Sequence, residues 1–339
     1  MRKKVKMFGA VSMLAGMLVL AGCGSEQSSG DSADADPDKK QYTIGVTQIV
    51  EHPSLDAAFT GFKKALEENG FEEGENVTYD VQNAQNDQSN SQTIANKLVS
   101  DGVDLIFANS TPSAQHVLNA TKEIPIVFTS VTDPVGAELV EAFDKPGENI
   151  TGTTDTHPEA LSKTVNFMTN EVGAKKVGLI YNSGEQNSVV QAKEIGKMVK
   201  DNGAEVVEAS VSTSAEVKQA AESLVGRVDA IYVPTDNTVV SALESVIGVA
   251  NDKDIPLFVG ELDSMKRGAV AASGFSYEDL GYETGLMAVQ ILKGEKKPSE
   301  INVEYPKSFK LMINKKAANE QGLEVKDEWS ELGEFYEGE

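Results

Sequence analysis

Tyr42-Thr43-Ile44-Gly45-Val46 and Lys176-Val177-Gly178-Leu179-Ile180 open two halves of the chain that carry the same motifs in the same order. The first half continues through Lys64-Ala65-Leu66-Glu67-Glu68-Asn69-Gly70, Val103-Asp104-Leu105-Ile106-Phe107 and Ile124-Pro125-Ile126-Val127-Phe128. The second continues through Lys197-Met198-Val199-Lys200-Asp201-Asn202-Gly203, Val228-Asp229-Ala230-Ile231-Tyr232 and Ile255-Pro256-Leu257-Phe258-Val259. Gly45 and Gly178, like Gly70 and Gly203, are 133 residues apart; Asp104 and Asp229 are 125 apart, Pro125 and Pro256 131. So steady an offset marks a duplicated lobe rather than one repeated motif.

Within each half, short apolar runs alternate with amphipathic stretches. Ile44–Val46, Leu105–Ala108 and Ile126–Phe128 are continuous apolar runs, the pattern of strands covered on both faces. Leu55, Phe59, Phe62 and Leu66 recur at helical spacing, and Asn69-Gly70 stops the helix. Val190, Ile195, Met198 and Val199 repeat that arrangement before Asn202-Gly203. Strand and helix in alternation predict parallel sheets with right-handed crossovers. The expected fold class is α/β: two similar doubly wound parallel-sheet lobes joined by a hinge.

Beyond the repeat, Ala269–Gly274 and Phe309–Ile313 read as strands, and Ser276–Leu292 and Lys315–Gln321 as helices. They let the chain pass between lobes three times. The expected layout is an N-terminal lobe of 42–154 plus about 275–303, a C-terminal lobe of 155–274 plus about 304–325, and an acidic tail over 326–339.

The N-terminus carries Arg2, Lys3, Lys4 and Lys6, then an apolar run from Met7 to Leu20, then Leu20-Ala21-Gly22-Cys23. This is the pattern of an exported lipoprotein: a signal peptide over 1–22 and a lipidated (palmitate-bearing) Cys23, the only cysteine in the chain. A flexible polar tether over 23–41 follows. The mature chain is expected on the extracytoplasmic side of the cell membrane, held by lipid and not by a spanning helix. A lone cysteine excludes an intramolecular disulfide and a cysteine metal cage.

The chain has 30 basic and 53 acidic side chains. Without the four basic residues of the leader, 26 remain against 53, a net charge of −27. That disfavours nucleic acid as a partner. There is no nucleophile elbow, P-loop or G-x-G-x-x-G after a strand. His52, His116 and His157 share no metal-ligand spacing. No enzyme, cofactor or metal site is expected.

Ligands of open parallel sheets bind beyond the strands' carboxyl ends. Those positions hold Gln48 and His52; Ser110 and Thr111; Thr132 and Asp133; Asn182, Glu185 and Asn187; Thr235, Asp236 and Asn237; and Glu261, with Phe275 at an inter-lobe crossing. Singly, such residues serve as readily as caps and turn formers; Phe275 and Tyr277 serve as readily in hinge packing. As a symmetric set they predict a ligand site in the cleft. Ser110-Thr111 at a helix start suits an anion, while Asp236 and Glu185 in the other lobe suit a cation. Together they suit a zwitterion.

Six motifs in order carry a family resemblance: Gln82–Gln88, Ser110–Gln115, Thr132–Val135, Pro146–Thr153, Tyr181–Ser188 and Pro234–Asn237. With the Cys23 motif, the chain resembles the tryptophan/tyrosine-type substrate-binding lipoproteins of ABC transporters over about Tyr42 to Leu323. The resemblance implies a type I periplasmic-binding-protein fold, a monomer, an aromatic amino-acid ligand, and a separate permease and ATPase as partners. It implies that Ser110 and Thr111 hold the ligand carboxylate and Asp236, with Glu185 or Asn187, the ammonium. Gly260-Glu261-Leu262-Asp263 departs from the family's more usual Gly-Gly-Asp-type stretch. The alternatives are a sensory or adhesive surface lipoprotein, or a binding protein for a nucleoside or sugar.

Overall fold

The computed structural model describes residues 40–338. The expected signal peptide, Cys23 and nearly all of the expected tether lie outside the described residues. The first lobe comprises β1 (Tyr42–Gln48), α1 (Pro53–Glu68), β2 (Val77–Asn83), α2 (Gln88–Asp101), β3 (Leu105–Asn109), α3 (Thr111–Ala120), β4 (Ile126–Val131) and β5 (Ile150–Thr154). Its five strands are ordered β2-β1-β3-β4-β5 and all pair in parallel.

The second lobe begins with α4 (Ala160–Asn166), then β6 (Lys176–Asn182), α5 (Gln186–Asp201), β7 (Glu205–Val211), α6 (Val217–Leu224) and β8 (Ala230–Val233). It continues with α7 (Asn237–Ser241), α8 (Leu243–Lys253), β9 (Leu257–Val259), α9 (Leu262–Gly268) and β10 (Ala271–Gly274). The chain then returns to the first lobe as α10 (Tyr277–Leu292). It finishes in the second as β11 (Lys310–Asn314), α11 (Lys315–Glu320) and β12 (Glu334–Tyr336).

The duplication holds at the level of single hydrogen bonds. Gly45 sits opposite Ile106 and Gly178 opposite Ile231. A Cβ on Gly45 would meet Leu98 of α2 at 3.0 Å, and one on Gly178 would meet Leu224 of α6 at 2.6 Å. Both glycines therefore let the equivalent helix lie close on the sheet. The Asp104 carboxylate accepts the Thr43 N–H at 2.7 Å, and Asp229 accepts the Lys175 and Lys176 N–H groups at 3.0 and 2.9 Å. Ile106 N–H donates to Pro125 O and Ile231 N–H to Pro256 O, both at 2.9 Å.

Each sheet is buried on both faces because its side chains alternate between two apolar cores. Along β3, Leu105 and Phe107 join the core under α1 and α10, while Ile106 and Ala108 join the core under α2 and α3. α10 lies so close to α1 that a Cβ on Gly281 would fall 1.8 Å from Ala58 O, and one on Gly61 1.8 Å from Glu278 O. This packing fixes the start of α10, where Tyr277 is buried.

Residues 327–336, expected as part of an acidic tail, are packed into the second lobe. β12 pairs in parallel with β11 and completes the second lobe's sheet, ordered β12-β11-β10-β9-β8-β6-β7. Trp329 is 1 % exposed and meets Phe167 edge-on with ring centroids 5.0 Å apart. Burying an indole outweighs the solvation of the acidic residues around it, which stay at the surface.

Candidate functional site

The strand ends of both lobes converge on a cavity of about 20 Å³. His52, Leu55 and Ser130 line it from the first lobe; Asn187, Thr235, Asp236, Asn237, Val240 and Glu261 from the second; Asp155 and Tyr277 from the crossings. Of the residues anticipated from sequence, His52, Asn187, Thr235, Asp236, Asn237 and Glu261 thus come together.

The others stand behind or beside it. Glu185 is a buried hub of the second lobe: its oxygens accept from Asn182 Nδ2 (3.1 Å), Thr238 Oγ1 (2.8 Å) and the side-chain amide of Asn237. With its acceptor sites filled by the protein, Glu185 orients the lining and is not free to meet an ammonium; Asn182 shares that network. Gln48 bonds within the first lobe, to Asp56 and Asn109. Asp133 accepts the Gly136 N–H at 2.8 Å and forms a turn. Thr132 Oγ1 accepts from Gln191 across the lobes at 3.4 Å. Phe275 stacks on Tyr277 but lines two other cavities beside the crossings, of about 630 and 190 Å³. Ser110 and Thr111 are buried at the start of α3, outside the lining.

Asp236 is a helix cap and also stands at the cavity wall. Its Oδ1 accepts the Val239 N–H at 2.7 Å as the cap of α7, and its Oδ2 accepts the Asn182 N–H at 2.5 Å; it also lines the cavity. Asp155 was not anticipated. It follows β5, a threonine-rich strand that apolar patterning passes over. Its Oδ2 accepts the Tyr277 hydroxyl at 2.9 Å, while Oδ1 is buried and accepts nothing.

The two lobes differ in polarity. In the first lobe the start of α1, whose His52 and Leu55 line the cavity, has no side-chain cap; nor has the start of α3, which lies outside the lining and where Thr111 Oγ1 is buried without a partner. Unpaired N–H groups and a hydroxyl favour an anion. The starts of α7 and α9 in the second lobe are capped by the carboxylates of Asp236 and Glu261. Burial pushes Asp155 up to about 6. Burial, then the nearby Glu185, raises Asp236; burial, then Asp263, raises Glu261. Burial, then Arg267, drives His52 down to about 3, so its imidazole is neutral. Three buried carboxyls whose charged form lacks a lysine or arginine partner in the lining would favour a cation. Asn187 Oδ1 and His52 Nδ1 are further buried atoms without partners. His116 is elsewhere, bonded to Ser91 at 2.9 Å between helices, and His157 packs at a tilt against the Phe309 ring. Among the described residues no acidic, histidine or cysteine cluster has metal-binding geometry.

Residues 43–334 match the sequence family described as ABC transporter substrate binding protein. The chain is 47 % identical to a tyrosine-binding protein of Clostridioides difficile, over 88 % of this chain and 87 % of that one. A Streptococcus pneumoniae ABC domain solved in complex with L-Trp superposes with a TM-score of 0.82 at 33 % identity, covering 87 % of this chain and 99 % of that one. An open, ligand-free substrate-binding protein with adhesive properties from Clostridium difficile reaches a TM-score of only 0.64, despite 44 % identity and coverage of 88 % and 100 %. Of these two solved structures, the one more similar in sequence gives the poorer superposition.

Proposed function

Because this chain belongs to the family of ABC transporter substrate-binding proteins, we propose that its cleft captures an aromatic amino acid, tyrosine or tryptophan, for import. Family membership makes it an extracytoplasmic receptor that delivers a small molecule to a permease and ATPase. The finer parts of the proposal are the ligand, the lipid anchor at Cys23 and a monomeric state.

The observation that carries the ligand class is the opposed polarity of the lobes. The uncapped start of α1, with Ser130 beside it in the lining, suits a carboxylate. Asp155 Oδ1, in a lining that also holds Asp236 and Glu261, suits an ammonium. Leu55, Val240 and Tyr277 supply apolar and aromatic surface between them. The names of the relatives from Clostridioides difficile and Streptococcus pneumoniae point to the same ligands. A cavity of about 20 Å³ has room for a water or two. The lobes must therefore part to admit an amino acid and settle around it, which is how ligand binding drives hinge closure.

A thermal-shift panel of amino acids, nucleosides and sugars on the full chain tests the proposal. Tyrosine or tryptophan should raise the melting temperature, increasingly with ligand excess. A shift with nucleosides or sugars alone contradicts it. A second reading, surface adhesion, is favoured by the likeness to the adhesive Clostridium difficile protein. Unchanged host-cell attachment in a strain lacking this chain would exclude it.

A further inference from the structure

Loop 84–87, at the end of β2, is not part of the cavity lining, yet two consecutive non-glycine residues in it take left-handed backbone: Gln85 at φ 54° and Asn86 at φ 60°. That conformation is disfavoured for glutamine and tolerated by asparagine. Local bonds hold it in place. Asn86 N–H donates to Ile49 O at 2.7 Å, Gln85 N–H to Asn83 Oδ1 at 2.7 Å, and Ala84 N–H to Gln48 O at 2.9 Å.

The consequence is that Asn86 reaches across the cleft. Its Nδ2 donates to Thr238 Oγ1 of the second lobe at 2.8 Å. Thr238 is fully buried. Its hydroxyl also accepts from Asn182 Nδ2 at 2.8 Å and donates to Glu185 Oε1 at 2.8 Å, so its hydrogen-bonding capacity is filled once Asn86 arrives. Glu185 in turn holds the amide of Asn237, a cavity residue.

We propose that Asn86 is a positioning residue that latches the closed lobes: it docks on Thr238, whose orientation is set by the Glu185 network that also orients the ligand-facing side chains. Asn86 touches no ligand. It lengthens the ligand's residence by holding the second lobe shut, and leaves the choice of ligand to the cavity. The inference rests on the reading of the cleft as a site that closes over its ligand, and on no particular ligand.

Asn86→Gly and Asn86→Asp in the full chain test it. Glycine keeps the left-handed backbone and removes the side chain. Aspartate keeps size and backbone but sets a carboxylate oxygen against the Thr238 oxygen, whose proton Glu185 already holds. Stopped-flow binding of L-tyrosine and L-tryptophan should show dissociation about five- to tenfold faster in both variants, the worth of one hydrogen bond. Association should stay within about twofold, because open lobes meet ligand first. The tyrosine-to-tryptophan preference should not change. Parent-like dissociation in both variants overturns the latch. If the parent binds neither amino acid, the proposed ligand fails, and scattering from the ligand-free chain reads the latch instead. Both variants should then show a smaller compact fraction than the parent; an equal fraction overturns it.

Discussion

Tyr277 gives its hydroxyl to Asp155 Oδ2 at 2.9 Å, so the other carboxylate oxygen is held at the cavity with nothing to accept. Burial raises Asp155 from 3.8 to about 6. Its proton is bound more tightly folded than unfolded. The stability this confers is complete below about pH 4 and is lost as pH rises through 6, on the order of 3 kcal/mol for this shift.

An ammonium ligand reverses that sign, since it favours the charged carboxylate. The ligand-induced rise in melting temperature should therefore grow from pH 5 to pH 7, and binding near pH 6 should release a proton. Melting curves across that range, with calorimetry in two buffers of different ionisation heat, measure both. A ligand effect independent of pH would remove Asp155 from the site.

Glu185 is read as an internal hub. Glu185→Gln replaces one acceptor oxygen by an amide that faces other donors, leaving at least one buried group unpaired. Stability should fall by about 1–3 kcal/mol, seen as a lower denaturant midpoint. Parent-like stability with abolished binding would instead make Glu185 a ligand contact.

Gly281→Ala forces a methyl into Ala58 O of the facing helix. Overpacking of this kind costs about 1–3 kcal/mol. Because α10 begins at Tyr277, ligand affinity should fall as well. Gly196 of α5 has open space at its Cβ position, so Gly196→Ala is the control and should not destabilise. Equal behaviour of the two would contradict the close packing of α1 and α10.

Trp329 is the only tryptophan in the chain and is 1 % exposed. Fluorescence should be blue-shifted and resistant to aqueous quenchers. Trp329→Ala should cost about 3–5 kcal/mol. A red-shifted, readily quenched emission would contradict the packing of Trp329 into the second lobe.

The duplication, the lobes and six cavity residues were legible because glycines, prolines and strand-end polar residues recur at matching positions. Asp155 was not, because β5 reads Ile150-Thr151-Gly152-Thr153-Thr154 and looks polar. Its threonines are buried by pairing with other polar groups: Thr153 Oγ1 lies 3.0 Å from Thr129 Oγ1 and 2.8 Å from Thr284 Oγ1. Hydrophobic periodicity does not register a strand satisfied in this way. β12 was hidden differently, by the acidic residues that flank Trp329. Asp236 shows why cap and ligand readings are hard to part in sequence, since one carboxylate serves the helix and the cavity together.

The most direct test of the account is calorimetric titration of the full chain with L-tyrosine and L-tryptophan beside their deaminated acids, in the parent and in Asp155→Asn. The parent should bind the amino acids one to one. The deaminated acids should bind at least about a hundredfold more weakly, and the amino acids should lose a comparable factor in Asp155→Asn, because a buried ammonium without its counter-charge costs about 3–5 kcal/mol. Deaminated acids that bind as well as the amino acids, or an Asp155→Asn chain that binds tyrosine like the parent, would contradict it.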